Sequence, residues 1–205
     1  ARKRSNLTVL TDARVTRVEF EGRTAVGVRV QIGGEQRTIR AHAEVVLSAG
    51  AIGSPQLLQL SGIGPGGLLS EHGIDVVHDL PGVGENLQDH LQIRSVYTCS
   101  IPTLNDEVNN FFRRMGIGIQ FILTRTGPMS MGASQVCAFT HSEPGLNRPD
   151  IQFHIQPLSS DNPGHGLDRF SAFTSSVCQL RPESRGQVRI QSPDPMAAPT
   201  IFANY

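Results

Sequence analysis

The order of apolar and polar positions divides the chain into a β-rich opening, a short helical stretch and a longer mixed region. Leu7–Leu10, Arg14–Phe20 and Ala25–Ile32 are rich in Val, Thr and Ile and partly alternate, which predicts strands. Gly33-Gly34, ahead of Arg37–Arg40, predicts a hairpin turn, since such turns require positive φ. Glu44–Ser48 is a short apolar run and predicts a strand buried on both faces. Ser54-Pro55 then predicts a helix start, because a serine hydroxyl caps free N–H groups and proline suits the first helical position. Gln56–Leu60 adds one apolar turn and Gly62 a stop, followed by a second short helix over Gly66–His72 that ends at Gly73. Ile74–Leu80 predicts a strand leading into Pro81-Gly82-Val83-Gly84.

Beyond His90 the pattern changes. Leu91–Ser100 predicts a strand, and Asn105–Thr124 is the longest helical pattern, weakened in its middle by Gly116 and Gly118. Strands are expected over Gln135–Thr140, Asp150–Gln156, Phe170–Leu180 and Gln187–Gln191, joined by polar loops such as Pro157–Arg169. Several strands around one long helix make an α+β unit with an antiparallel sheet. We therefore expect a domain boundary near residue 90, with 1–90 in one domain and 91–205 in another.

Composition narrows the function classes. Of 205 residues, 38% are hydrophobic, enough for a core, and Lys+Arg and Asp+Glu are both 18. That balance offers no stripe for nucleic acid, and the basic opening Ala1-Arg2-Lys3-Arg4 is too short to change this. No apolar run reaches membrane-span length and no signal peptide is visible. Cys99, Cys137 and Cys178 are an odd number without CxxC spacing, against a disulfide framework or a zinc site. Together these features predict a cytoplasmic protein, free or peripheral to a membrane, with no metal site.

Gly62-Ile63-Gly64-Pro65-Gly66-Gly67 formally fits GxGxxG. A nucleotide-binding version needs a strand before it, whereas Gln56–Leu60 is helical, and Pro65 removes a backbone N–H that a phosphate would use. The motif is read as a decoy.

A longer string carries more information. Gly50-Ala51-Ile52-Gly53-Ser54-Pro55-Gln56-Leu57-Leu58-Gln59-Leu60-Ser61-Gly62-Ile63-Gly64 resembles the second signature of the glucose–methanol–choline (GMC) oxidoreductases. Asp79-Leu80-Pro81-Gly82-Val83-Gly84-Glu85-Asn86-Leu87-Gln88-Asp89-His90 follows at the family's spacing. Asn6–Thr11, Val26-Gly27-Val28, Ser184–Ile190 and Pro199…Asn204-Tyr205 are similar to its other landmarks, so the resemblance covers nearly the whole chain. The nearest flavour is the choline-dehydrogenase-like alcohol dehydrogenases.

The resemblance implies a fragment of a flavoprotein. Residues 1–90 would be the later part of a mixed β/α FAD-binding domain, and 91–205 a truncated substrate-binding domain with an antiparallel sheet and a long helix. It implies FAD as cofactor, with Ala49, Gly50 and Ala51 where a strand end approaches the flavin and Val15 touching the adenine through its backbone. Small residues let backbone come close to a ligand, although a strand-to-helix turn would demand glycine for geometry alone. It also implies hydride transfer from an alcohol to flavin, giving an aldehyde, with oxygen or a quinone as electron acceptor. Two parts of the family's mechanism, the N-terminal FAD motif and the C-terminal histidine base, have no match here. No catalytic residue is assigned, and the isolated chain is expected to hold little or no flavin and to be inactive.

Two features bear on the substrate. Alternation puts Gln152, His154 and Gln156 on one strand face and Ile151, Phe153 and Ile155 on the other. A polar face of this kind suits a cavity wall and equally a solvent-facing strand edge. The resemblance implies that His154 helps hold the substrate oxygen, with Gln156 beside it. In choline-oxidising relatives a carboxylate two residues after the Asp-His pair attracts the trimethylammonium group, where this chain has Gln92. A neutral amide loses that attraction, and the chain has no Trp and only 2 Tyr for cation–π recognition. A neutral primary alcohol is therefore expected in place of choline. Two other classes stay open: hydroxynitrile lyases, which keep the fold and flavin without redox chemistry, and a stand-alone ligand-binding module.

Overall fold

The computed structural model describes residues 3–132, 134–161, 164 and 166–205. The start of the basic opening and part of the Pro157–Arg169 loop therefore lie outside the described residues. The chain forms two compact units, one from residues 1–89 with 184–205 and one from residues 90–183.

The first unit opens with strands β1 (Ala13–Glu21), β2 (Thr24–Ile32) and β3 (Glu35–Arg40). Helix α1 (Gly50–Leu60), bridge β4 (Ile63–Gly64), helix α2 (Gly66–Glu71), bridge β5 (His78–Asp79) and strand β6 (Glu85–Leu87) follow. The second unit carries β7 (Gln92–Thr98), α3 (Leu104–Asn109), α4 (Phe111–Thr124), β8 (Val136–Thr140), β9 (Ile151–Gln156) and β10 (Ala172–Gln179). The chain then returns to the first unit through β11 (Gly186–Arg189) and β12 (Thr200–Phe202).

Strands β1, β2 and β3 form an antiparallel meander, with Gly33 and Gly34 turning at φ 58° and 88°. β1 is an edge strand, and its pairing slips between Val15 and Arg17, leaving Thr16 as an extra, buried residue. Beyond that bulge the Val18 N–H donates to Ser61 Oγ at 2.8 Å, and Ser61 Oγ donates to the Leu57 carbonyl at 2.6 Å. One buried hydroxyl thus fastens the end of α1 to the sheet. Leu60, Leu69 and Ile190 form a buried cluster, with Leu68 and Ile74 packed against it.

Gln59 ties three segments together. It is fully buried; its Nε2 donates to the carbonyls of Val83 at 3.2 Å and Val188 at 3.0 Å, while Oε1 accepts from Ile190 N–H at 2.8 Å. The partners determine the amide's orientation, since two carbonyls need donors and one N–H needs an acceptor. Gly84 completes the junction. Its φ is +86°, and a Cβ there would lie 2.1 Å from the Val188 carbonyl oxygen and 2.5 Å from Gln59 Nε2. Only glycine permits this approach.

Several expectations are corrected. Leu7–Leu10 and Glu44–Ser48 are not strands; among the described residues no strand pairs with either, and an apolar run without a ladder partner gains no sheet hydrogen bonds. Of Ile74–Leu80, only His78–Asp79 pairs, in parallel with Ile63–Gly64. α1 begins at Gly50, not at Ser54-Pro55. Ser54 Oγ accepts from Ala49 N–H at 3.0 Å, and Pro55 sits inside the helix, where it cannot donate to the Ala51 carbonyl. The long helix is broken at Asn110, not weakened at Gly116 and Gly118. Asn110 takes an extended conformation and its side chain accepts from Arg113 N–H at 3.1 Å, so it caps a new helix in place of continuing the old one.

In the second unit the strands are antiparallel in the order β7-β10-β9-β8. A capping box at Thr103 and Asp106 starts α3, and buried Asn105 donates to Ser159 Oγ and the Phe170 carbonyl, both at 2.9 Å.

Candidate functional site

Two regions concentrate the residues singled out from the sequence, one in each unit. In the first unit a cavity of about 590 Å³, within the usual range for a ligand pocket, is lined by Val15, Val28, residues 44–49, Gly53 and Leu57. Val15 and Ala49 therefore share one cavity. The segment expected as a buried strand, Glu44–Ser48, forms one of its walls. Gly50 opens α1 at φ +80°, and a Cβ added to it would meet nothing within 4 Å. The positive φ accounts for a glycine there by backbone geometry alone, and the space beside it is open. Ala51 faces a different depression of about 310 Å³, with Pro55, Gly84 and residues 85–88. The four residues thus cluster at the start of α1, but the structure does not bring all of them into one pocket.

The GxGxxG string does not form a phosphate cradle. The Gly66 N–H at the start of α2 donates to Asp79 Oδ1 at 2.8 Å. A carboxylate of the chain already occupies the place an anion would take.

Asp89 accepts a hydrogen bond from the Tyr205 hydroxyl, and that bond holds the Tyr205 phenol above its ordinary value of 10.0. The arrangement joins two ends of the first unit and gives Asp89 a structural partner.

The second region is one face of the β7-β10-β9-β8 sheet. Register places Gln92 and Gln152 on either side of Cys178, Arg94 and His154 on either side of Ser176, and Val96 and Gln156 on either side of Thr174. Because directly paired residues share a face, Gln92, Arg94, Gln152, His154 and Gln156 all project from the same side. Between them run the small residues Thr174, Ser176 and Cys178, each at most 3% exposed. The opposite face is mostly apolar, with Ile93, Phe153, Ile155 and Val177 along it, Ser95 paired with Ser175, and Tyr97 stacked on Phe173 at 5.3 Å between ring centroids.

His154 is half-buried on an inner strand, and its Nδ1 lies 3.5 Å from Cys137 Sγ. Gln156 Nε2 donates to Ser134 Oγ at 3.1 Å, while Gln92 is exposed. Two participants escaped the sequence reading. Ser176 Oγ is buried without a hydrogen-bond partner among the described residues, and the Arg94 guanidinium makes no hydrogen bond or ion pair among them. The alternation of small residues in Ala172-Phe173-Thr174-Ser175-Ser176-Val177-Cys178 was the available signal for Ser176. Among the described residues no group of His, Cys, Asp or Glu is placed to hold a metal ion, and no helix is long and apolar enough to cross a membrane.

The chain matches the family described as GMC oxidoreductase over residues 1–92. It is 43% identical over 206 residues to the oxygen-dependent choline dehydrogenase of Photobacterium profundum, covering 100% of this chain and 36% of that protein. To the enzyme of the same description from Chromohalobacter salexigens it is 42% identical over 205 residues, covering 100% of the chain and 37% of the relative. Among solved structures it is similar to Aspergillus oryzae RIB40 formate oxidase, at TM-score 0.88 and 26% identity, over 100% of the chain and 41% of the neighbour. It is also similar to pyridoxine 4-oxidase from Mesorbium loti, at TM-score 0.76 and 28% identity, over 100% of the chain and 36% of the neighbour. The chain thus spans little more than a third of the curated relatives it matches.

Proposed function

We propose that the chain is the middle part of an FAD-dependent oxidoreductase that takes hydride from an alcohol CH–OH carbon and leaves an aldehyde. The observation that carries this reading is the polar sheet face bearing Gln92, His154 and Gln156, in a chain 43% identical over its length to a choline dehydrogenase. FAD, when bound, supplies the hydride acceptor. The backbone of Val15 and the small residues Ala49, Gly50 and Ala51 fit the role of a surface on which a flat cofactor rests. His154 donates a hydrogen bond to the substrate oxygen, which favours the charge that develops there as the hydroxyl proton leaves. Gln156 and Gln92 orient the substrate through their amides. The proton acceptor is none of these residues. Oxygen or a quinone would serve as the electron acceptor, and the relatives' description as oxygen-dependent favours oxygen.

Residues 1–90 serve as part of the cofactor domain and 91–205 as the substrate-binding domain, with 184–205 returning to the compact unit of residues 1–89. The absence of a carboxylate at Gln92 argues for a primary alcohol other than choline. The test is anaerobic mixing of the full-length flavoprotein with primary alcohols and with choline, followed by flavin absorbance. Bleaching by a primary alcohol but not by choline is expected. Bleaching by choline would sink the substrate reading. No bleaching in an FAD-loaded protein would overturn the oxidoreductase reading in favour of a non-redox lyase of the same fold. The isolated 205-residue chain is expected to be colourless and inactive.

A further inference from the structure

The substrate-facing sheet has an unusual charge content. Strands β7, β8, β9 and β10 contain no Asp or Glu, and Arg94 is their only guanidinium or ammonium. The nearest acid in sequence, Asp150 ahead of β9, is engaged by the backbone N–H and hydroxyl of Ser142 at 2.8 and 2.6 Å. Arg94 itself has no hydrogen bond or ion pair among the described residues. It stands in one cross-strand row with Ser176, His154 and Cys137. Two strand spacings, about 10 Å, separate Arg94 from His154. Between them lies the Ser176 hydroxyl, 1% exposed and without a hydrogen-bond partner among the described residues.

A buried hydroxyl without a partner is costly, and a native protein that retains one calls for an explanation such as a functional role or a bound water or ion. Arg94, Ser176 and the amides of Gln92 and Gln152 can all donate hydrogen bonds, and no carboxylate among the described residues pairs with the cation. Such a face repels a quaternary ammonium and suits a planar oxyanion, which a guanidinium grips through two parallel N–H bonds.

We propose that the alcohol substrate carries a carboxylate or similar oxyanion, which Arg94 and Ser176 hold on the face that presents His154. This rests on the reading of that face as the substrate wall. It replaces the neutral primary alcohol expected from the sequence with an anionic one, with Arg94 as the specificity-determining residue.

The test uses the full-length flavoprotein and begins with binding, which requires no turnover. Hexanoate and its neutral counterpart hexanamide are titrated calorimetrically. Hexanoate is expected to bind on the order of 10- to 100-fold more tightly, the range of one charge-assisted contact. Arg94→Gln should abolish that preference and Arg94→Lys should keep part of it, with hexanamide binding and flavin content unchanged. In anaerobic turnover, Arg94→Gln should raise the KM for 6-hydroxyhexanoate by a similar factor relative to the KM for 1-hexanol.

Equal binding of hexanoate and hexanamide by the unaltered protein overturns the proposal, and that comparison needs no variant. Equal weakening of both ligands by Arg94→Gln also overturns it, because Arg94 would then support the fold and not the ligand. The two readings fail separately. Carboxylate preference without bleaching by any alcohol leaves the anion site standing and removes the oxidoreductase reading. Bleaching by alcohols without carboxylate preference does the reverse.

Discussion

Replacing Gln59 by Leu tests the junction of the first unit. The side chains are similar in volume, so the change removes hydrogen bonds without opening a large cavity. Three bonds are lost: two donated to the Val83 and Val188 carbonyls and one accepted from Ile190 N–H. Ile190 is 4% exposed, so its N–H is left buried without an acceptor. A buried group stranded in this way costs about 1–3 kcal/mol, and the two carbonyls lose about 1 kcal/mol each. The sum, roughly 3–5 kcal/mol, is a large share of the 5–15 kcal/mol typical of a domain. The assay is amide hydrogen exchange read by mass spectrometry. Peptides covering residues 184–191 should exchange at least about 100-fold faster, the equivalent of some 3 kcal/mol. Peptides covering 92–98, in the other unit, should not change. Exchange in 184–191 altered by less than about fivefold would refute the reasoning, and the Gln59 bonds would then contribute no more than the apolar contacts that replace them.

A pair of serine variants separates partnered from unpartnered hydroxyls. Ser61→Ala breaks bonds to Val18 and Leu57 and should cost about 1–3 kcal/mol in urea unfolding of the first unit. Ser176→Ala removes an oxygen with no partner and should be neutral or slightly stabilising; a loss above about 1 kcal/mol would show that Ser176 Oγ is bonded after all. Gly84→Ala forces a Cβ to 2.1 Å from a backbone carbonyl and should leave little folded protein, measured as soluble yield and flavin content. Asp106 is held below its ordinary value of 3.8, first by the Thr103 N–H and then by Ser171, and Asp150 likewise by the Ser142 hydroxyl and N–H. A folded-state value below the unfolded one gives stability that is complete above 3.8 and is lost as pH falls through the lowered values. Stability of the second unit should therefore fall on acidification below that point, and Asp106→Asn should flatten the pH dependence; an unchanged slope would count against the assignment.

The site was partly legible in the sequence. Alternation alone gathered Gln152, His154 and Gln156 on one face, and β9 has that alternation. Nothing local could add Gln92 and Arg94 to the same face. β7 and β9 never pair with each other; both pair with β10, which lies some eighty residues after Gln92 in sequence. The register of a distant strand decides which side of a sheet a residue faces, and a slip of one residue would have reversed it. The start of α1 was misplaced for a related reason. Ser54-Pro55 has the chemistry of a helix start, but Gly50 at positive φ turned the chain into helix four residues earlier, and the Ser54 hydroxyl bonded Ala49 instead.

By itself the sequence determined the elements whose cause is local: the β1–β2–β3 meander with its Gly33-Gly34 turn, the stop at Gly62, the strands of the second sheet, and the ordered motifs that mark the GMC family. Tertiary structure decided whatever depends on a partner far along the chain. Glu44–Ser48 has strand composition but no neighbouring strand to complete its ladder, so it lines a cavity instead. Gln59 reads as one more helical glutamine until Val83, Val188 and Ile190 surround it. Propensity and periodicity are properties of a few consecutive residues, whereas burial, register and hydrogen-bond satisfaction belong to pairs of segments that only folding brings together.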